Sequence, residues 1–238
     1  MRKRYVPALG YDLLTPLYDP LVRVTTREID FKRRLVEESR IGAARDVLDV
    51  GCGTGTLLIL ARQRSKSMKA IGLDGDWQVL RIAKSKAKKY AEELNLVQAF
   101  SFDIPFADCS FDRVFSSLML HHLTRPEKVQ TLREIFRILR PNGELHVADW
   151  GRPHNLLMRV LSIPVIFGDG LNRTTDNIKG LLPALIQSAG FEGVSEKARF
   201  STMFGTLSIY SARKPDAVSE VRHSAQSGLA LDVIDRIR

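Results

Sequence analysis

The nine residues Val47–Gly55, reading VLDVGCGTG, constrain this chain more tightly than any other stretch. Val47, Leu48 and Val50 make a short aliphatic run of the kind that forms a strand buried on both faces. Gly51, Gly53 and Gly55 follow in G-x-G-x-G spacing, and Thr56–Ala61 resumes as an apolar helix. Strand, glycine turn and helix in that order let backbone approach a nucleotide-like ligand with no Cβ in the way. Asp49 lies inside the strand end, two positions before the first glycine. A second strand is expected at Ala70–Leu73, ending in Asp74, where a carboxylate can accept both hydroxyls of a ribose. A dinucleotide fingerprint needs a third glycine at position 56, but that residue is Thr56. The loop therefore lacks the glycine that seats a pyrophosphate on the helix start.

At 238 residues the chain suits one α/β domain with additions. No apolar run has the length of a membrane span, and the basic start MRKRYVPALGY lacks the hydrophobic stretch of a secretory signal. Two cysteines are too few for a disulfide framework, so a reducing cytoplasm is the expected compartment. The net charge of +9, from 36 Lys+Arg against 27 Asp+Glu, can draw nucleic acid, anionic lipid or acidic substrates. Much of it falls on Arg62, Arg64, Lys66 and Lys69, then on Arg81, Lys84, Lys86, Lys88 and Lys89. In the second group Val79, Leu80, Ala83, Ala87, Tyr90, Ala91 and Leu94 share one helical face and the lysines the other. A solvated helix back is the favoured reading over a binding patch. No Cys/His cluster has metal-ligand spacing, and no metal is expected.

Before the core, Pro7, Pro16 and Pro20 break residues 5–24 into short turns carrying Tyr5, Tyr11 and Tyr18. Residues 27–40 read as an amphipathic helix with Ile29, Leu35 and Val36 inward. Asp76 caps a helix opened by Trp77 and running to about Leu94, and a strand is expected at Leu96–Phe100. Arg113–Ser117 reads as the fourth strand, with Leu118–His122 as its exit toward the pocket. Thr124 and Glu127 form a capping box with Pro126 in the first turn, opening a helix that stops at Pro141-Asn142-Gly143. Leu145–Ala148 is a fifth strand that delivers Asp149, Trp150 and Gly151 to the same edge. Residues 152–175 are the least regular part, with the apolar run Leu156–Phe167 broken by Pro164. A short helix at Leu181–Ala189 and strands near Gly193–Phe200 and Thr206–Ala212 follow. The tail, 215–238, is either a docked helix or a mobile end.

With the glycine motif, Asp74 and the segment SFDIPFADCSFDRVF at 101–115, the chain resembles the class I S-adenosylmethionine-dependent methyltransferases. Within that class, the segment resembles the LPF…SFD signature of the quinone-biosynthesis and related small-molecule methyltransferases. The resemblance spans roughly residues 10–213 and implies a Rossmann-like α/β fold, a seven-stranded, mostly parallel sheet with helices on both faces. Residues 41–214 are then the core, 1–40 an N-terminal lid and helical segment, and 152–175 a variable lid over the acceptor. The implied cofactor is S-adenosyl-L-methionine, held by Asp49, Gly51, Cys52, Gly53, Gly55, Asp74, Gly75, Trp77, Ser101, Phe102, Asp103, Ser117 and Leu118. One departure stands out: Phe100 occupies the place of the acidic residue that meets the adenine amino group. Asp103, or the backbone of Ser101 and Phe102, is the alternative contact.

Methyl transfer from a sulfonium needs alignment and exclusion of water, and for some acceptors a base. His121, His122 and Asp149 are the candidate catalytic residues, with His154 also near by position. The histidine pair is either a base or a pocket wall. Tyr11, Tyr18, Met119 and Trp150 are the candidate acceptor contacts. Ser116-Ser117 stands where the planar-amine methylases carry N/D-P-P-Y/F, which argues against that chemistry. The expected partner is a small, apolar acceptor and no specific nucleic acid. The rivals are an RNA methyltransferase using the positive charge, and a non-catalytic protein that binds the cofactor.

Overall fold

The computed structural model describes residues 25–216. Tyr11, Tyr18 and the tail beyond residue 216, expected as either a docked helix or a mobile end, lie outside the described residues. The first described helix, α1 (Glu28–Glu38), turns Phe31, Leu35 and Val36 inward. It also buries Glu28 and Lys32, which neutralise each other as an i,i+4 pair at 2.6 Å. Ile29, expected inward, is only half-buried, because the face that meets the sheet is centred on Phe31.

From there the chain alternates strand and helix. The elements are β1 (Asp46–Val50), α2 (Thr56–Arg64), β2 (Lys69–Asp74), α3 (Trp77–Lys89), β3 (Asn95–Gln98), β4 (Phe111–Ser117), α4 (Arg125–Ile138) and β5 (Leu139–Trp150). Three short helices follow, α5 (Leu156–Leu161), α6 (Ile163–Asp169) and α7 (Leu171–Ile178), then α8 (Leu182–Ser188). The hairpin of β6 (Glu192–Thr202) and β7 (Gly205–Arg213) closes the order. One seven-stranded sheet results, in the order β3-β2-β1-β4-β5-β7-β6, with only β7 antiparallel to its neighbours. This is the mostly parallel α/β sheet that the alternation of patterns implies.

Side-chain alternation along the strands splits the core in two. Val47, Phe115, Ala148 and Leu207 face α1 and α2, whereas Leu48, Val114, Val147 and Tyr210 face α4 and α8. Because β1 is flanked by β2 and β4, the strand order reverses there, and the crevice beyond the carboxyl ends of β1 and β4 is the ligand position of such sheets.

Three local readings need correction. The helix after Asp76 ends at Lys89 rather than Leu94, and Tyr90 is half-exposed past its end, not on the buried face. The fifth strand starts at Leu139, which already pairs with Phe111 before the register shifts around Asn142 (φ 63°). Residues 156–178 are helical rather than irregular. Pro164 sits in the first turn of α6, where its missing N–H is tolerated, and Gly170 (φ 88°) separates α6 from α7.

Candidate functional site

The glycine turn is pinned from the neighbouring strand: the amides of Gly51 and Cys52 both donate to Leu73 O, at 2.8 and 3.0 Å. Gly51 adopts φ 74°, and a Cβ there would come within 2.3 Å of Met119 Cγ, so only glycine fits between the two segments. Asp74 ties the turn to the start of α3: its carboxylate accepts from Gly53 N and from Asp76 N, each at 2.9 Å. Asp76 in turn accepts from Gln78 N as the N-cap of α3. Burial pushes the Asp74 carboxyl up, and these backbone N–H groups oppose it. Gly75 and Trp77 flank Asp76 at the same rim; Trp77 is half-exposed, with the Arg81 guanidinium 5.2 Å above its ring. Cys52 is buried, and burial followed by the Asp49 charge raises its thiol well above the ordinary range.

Asp49, near the end of β1, is the most exceptional group beside the turn. It is 1 % exposed, and neither carboxylate oxygen has a hydrogen-bond partner. Burial lifts its carboxyl to about 7, against the pull of Lys32 and with a smaller push from Asp74. A buried acceptor with no donor calls for a cationic or hydrogen-bonding ligand group. An amino acid ammonium would supply that, and the Asp74 carboxylate at the end of β2 could accept from ribose hydroxyls. The residues present thus fit S-adenosylmethionine.

In the loop after β3, Phe100 and Phe102 stack in parallel with centroids 5.2 Å apart. Ser101 Oγ lies 2.9 Å from Thr131 Oγ1 on α4, which anchors the loop from below. Asp103 is exposed, its amide donating to Phe100 O.

Beyond β4 the backbone turns sharply. Ser117 is buried, and Leu118 takes φ 52°, a left-handed conformation rare for a non-glycine residue and held by its N–H to Ala148 O at 2.8 Å. This turn sends Met119 onto Gly51 and opens a single 3₁₀ turn at Leu120–His122. His121 Nδ1 lies 2.7 Å from Asp149 Oδ1, and the same carboxylate accepts from the amides of His121 and Trp150. Burial raises the Asp149 carboxyl, but the His121 imidazole, the Trp150 amide and Lys128 outweigh it and hold the group below its ordinary value. His122 packs on His121 at 4.0 Å, and Trp150 meets His121 edge-on at 6.0 Å. The Trp150 indole N–H is buried without a partner. His154 bonds Thr206 Oγ1 at 2.9 Å instead and takes no part in the dyad.

Sequence reasoning missed four polar residues around this end. Lys32 lies behind Asp49, and Lys128, fully buried on α4, donates to Arg173 O and pairs with Asp176 at 3.6 Å. Asp176 also accepts from Arg125 Nε at 3.0 Å. Asn177 is fully buried with both amide atoms unpartnered. The helical spacing of α7 offered one signal, since Thr174, Asn177 and Ile178 share a face. Among the described residues no group of three or more His, Cys, Asp or Glu is placed to hold a metal ion, and no helix is long and apolar enough to cross a membrane.

Comparison with known proteins agrees with this architecture. The family described as "Methyltransferase domain" matches residues 47–143. The chain is 30% identical over 156 residues to a ubiquinone/menaquinone biosynthesis C-methyltransferase of Geotalea daltonii, covering 63% of this chain and 66% of that protein. It is 31% identical to a demethylmenaquinone methyltransferase of Lactobacillus johnsonii, covering 63% and 64%. The match thus spans just under two thirds of these relatives' length. Among solved structures, the [4+2]-cyclase SpnF superimposes with a TM-score of 0.67 at 19% identity, over 87% of this chain and 95% of that one. A possible histamine N-methyltransferase from Thermotoga maritima gives 0.66 at 18%, over 85% and 96%. At such identities the structures speak for the fold alone.

Proposed function

The chain belongs to the class I S-adenosylmethionine-dependent methyltransferases, and from that membership we propose that it methylates a small apolar acceptor of hydroquinone type. The observation that carries the reading is the join of two half-sites at the ends of β1 and β4. Asp49 and Asp74 stand on one side of Gly51, and Met119 leads from it to the His121–Asp149 dyad on the other. The relatives' names, which include quinone C-methylation, support the choice of acceptor.

When bound, S-adenosylmethionine supplies a methyl group already activated by a sulfonium, so the chain's task is alignment and proton handling. Asp74 receives the ribose hydroxyls and Asp49 the ammonium group. Asp149 orients the His121 ring through Nδ1, which supports His121 as the group that exchanges a proton with the acceptor. Removing a ring hydroxyl proton there makes the adjacent ring carbon nucleophilic. With the methyl group accepted at that carbon, the His121 imidazolium would return its proton to the ring oxygen and the imidazole would then take the ring C–H proton, which restores aromaticity and passes one proton in net to solvent. Trp150 and Met119 wall the acceptor.

Calorimetry with S-adenosylmethionine and NADH is the first test, with binding expected for the former only. Asp74→Ala should cost roughly 2–4 kcal/mol of cofactor affinity through two lost charged hydrogen bonds. Transfer of labelled methyl to a reduced naphthoquinone should fall at least about a hundredfold in His121→Ala with cofactor affinity retained. NADH binding without S-adenosylmethionine binding would overturn the reading.

A further inference from the structure

The helices α5, α6 and α7 carry a surface unlike the rest of the fold. Leu156, Leu157, Val160, Phe167 and Leu171, with Met203 at the tip of the β6–β7 hairpin, are each between 60 and 82 % exposed. Large apolar side chains scattered singly are ordinary on a protein surface; six in one quarter of the molecule are not. They belong together in space. A Cβ on Gly205, beside the hairpin tip, would meet Ser162 Cβ at 3.0 Å and Met158 O at 3.3 Å, so the hairpin abuts the junction of α5 and α6. Helix α6 packs in turn on α7.

Each helix already has its inward face filled: Met158 on α5, Val165 on α6, and Thr174, Asp176 and Asn177 on α7. The outward apolar residues are therefore surplus to the core. All of them stand largely open to solvent, the form suited to a deformable apolar medium. Arg159 is exposed on α5 and Arg152 beside Gly180 just past the end of α7, and residues 151–175 carry Arg152, Arg159 and Arg173 against Asp169 as the single acidic residue. Short helices that set Leu and Phe outward between arginines are the composition that lies in a membrane interface, with anionic headgroups complementing the cations.

We infer that the α5–α7 surface and the hairpin tip dock this protein on an anionic lipid bilayer. The purpose rests on the apolar-acceptor reading, since α7 packs on the Leu120–His122 turn and on β5, and a hydroquinone with a long apolar tail dissolves in lipid. The docking itself is read independently of any methyl transfer.

Vesicle flotation of the full chain at physiological salt tests it. The chain should float with phosphatidylcholine vesicles containing phosphatidylglycerol and far less with phosphatidylcholine alone. Leu157→Asp with Phe167→Asp should lower the bound fraction about tenfold or more. Arg152→Glu with Arg159→Glu should erase the preference for the anionic lipid. Because all four side chains are exposed, cofactor affinity measured on the same preparations should match the unaltered chain, which separates loss of docking from misfolding and from failure of the enzymatic reading. A chain that stays at the bottom with both vesicles overturns the inference, as does a Leu157/Phe167 variant that floats normally. A dimer dissociated by the Leu157/Phe167 pair, without flotation, would assign the face to a second copy instead.

Discussion

Both oxygens of Asp49 are buried without a donor, and its carboxyl is lifted to about 7, while an unfolded aspartate titrates near 4. A raised carboxyl pKa makes the folded state bind its proton more tightly. That contribution is complete below about pH 4 and is lost as pH rises to about 7, an effect of order 4 kcal/mol over the interval. Asp49→Asn should therefore flatten the stability of the cofactor-free protein over this range and raise its melting temperature at pH 8, while weakening S-adenosylmethionine binding. Thermal melts from pH 4 to 8 check it; a variant that melts lower than the parent at pH 8 would show that the carboxylate has a protein partner. The positions of Asp49 and Asp74 at the glycine turn were legible in the sequence because they follow from local spacing around the glycines. Lys32 and Glu28 were not, since an i,i+4 pair on an amphipathic helix normally belongs to solvent and only the position of α1 against the sheet turns it inward.

The strands and helices from β1 to α4 were readable from their caps and periodicity: Asp76 and the Thr124–Glu127 box stand where the sequence placed them. The helices α5–α7 were less so, because six-to-eight-residue helices hold too few turns for a period to emerge, and tertiary anchoring decides them. For α7 that anchor is Asp176, buried against Lys128 of α4 and reaching Arg125. Burial depresses the Lys128 ammonium, and Asp176 opposes that. Asp176→Ala strands a buried cation and should destabilise the protein by ~3 kcal/mol, the low end for a broken buried pair because Arg125 is open to solvent. Chemical denaturation measures the loss. Adding Lys128→Met should recover most of it, and no recovery would mean that the charge pair is not what anchors α7.

At the scale of the whole molecule, the lysines of α3 stand apart from the His121–Asp149 dyad. Lys84, Lys88 and Lys89 are exposed on α3, which packs along β2 and β3, whereas the His121–Asp149 dyad sits beyond β4 and β5. With neighbouring strands about 4.8 Å apart, the sheet order separates β3 from β5 by roughly 19 Å. Lys86, counted with that face from sequence, instead bonds Thr54 and Thr56 at 3.2 and 2.7 Å and braces the glycine turn. A polynucleotide held by the α3 lysines would therefore lie across the far edge of the sheet, with no base delivered to the dyad. Its affinity should come from phosphate contacts alone and fall with salt at a log–log slope of about −0.7 per contact on single strands. Lys84→Glu with Lys88→Glu should abolish that weak binding and leave methyl transfer to a reduced naphthoquinone unchanged. Filter binding across a salt series, run beside labelled-methyl transfer to total RNA and to the quinol, decides the matter. Salt-resistant labelling of RNA that disappears in the Lys84/Lys88 variant would make the α3 face part of the acceptor site and RNA the acceptor.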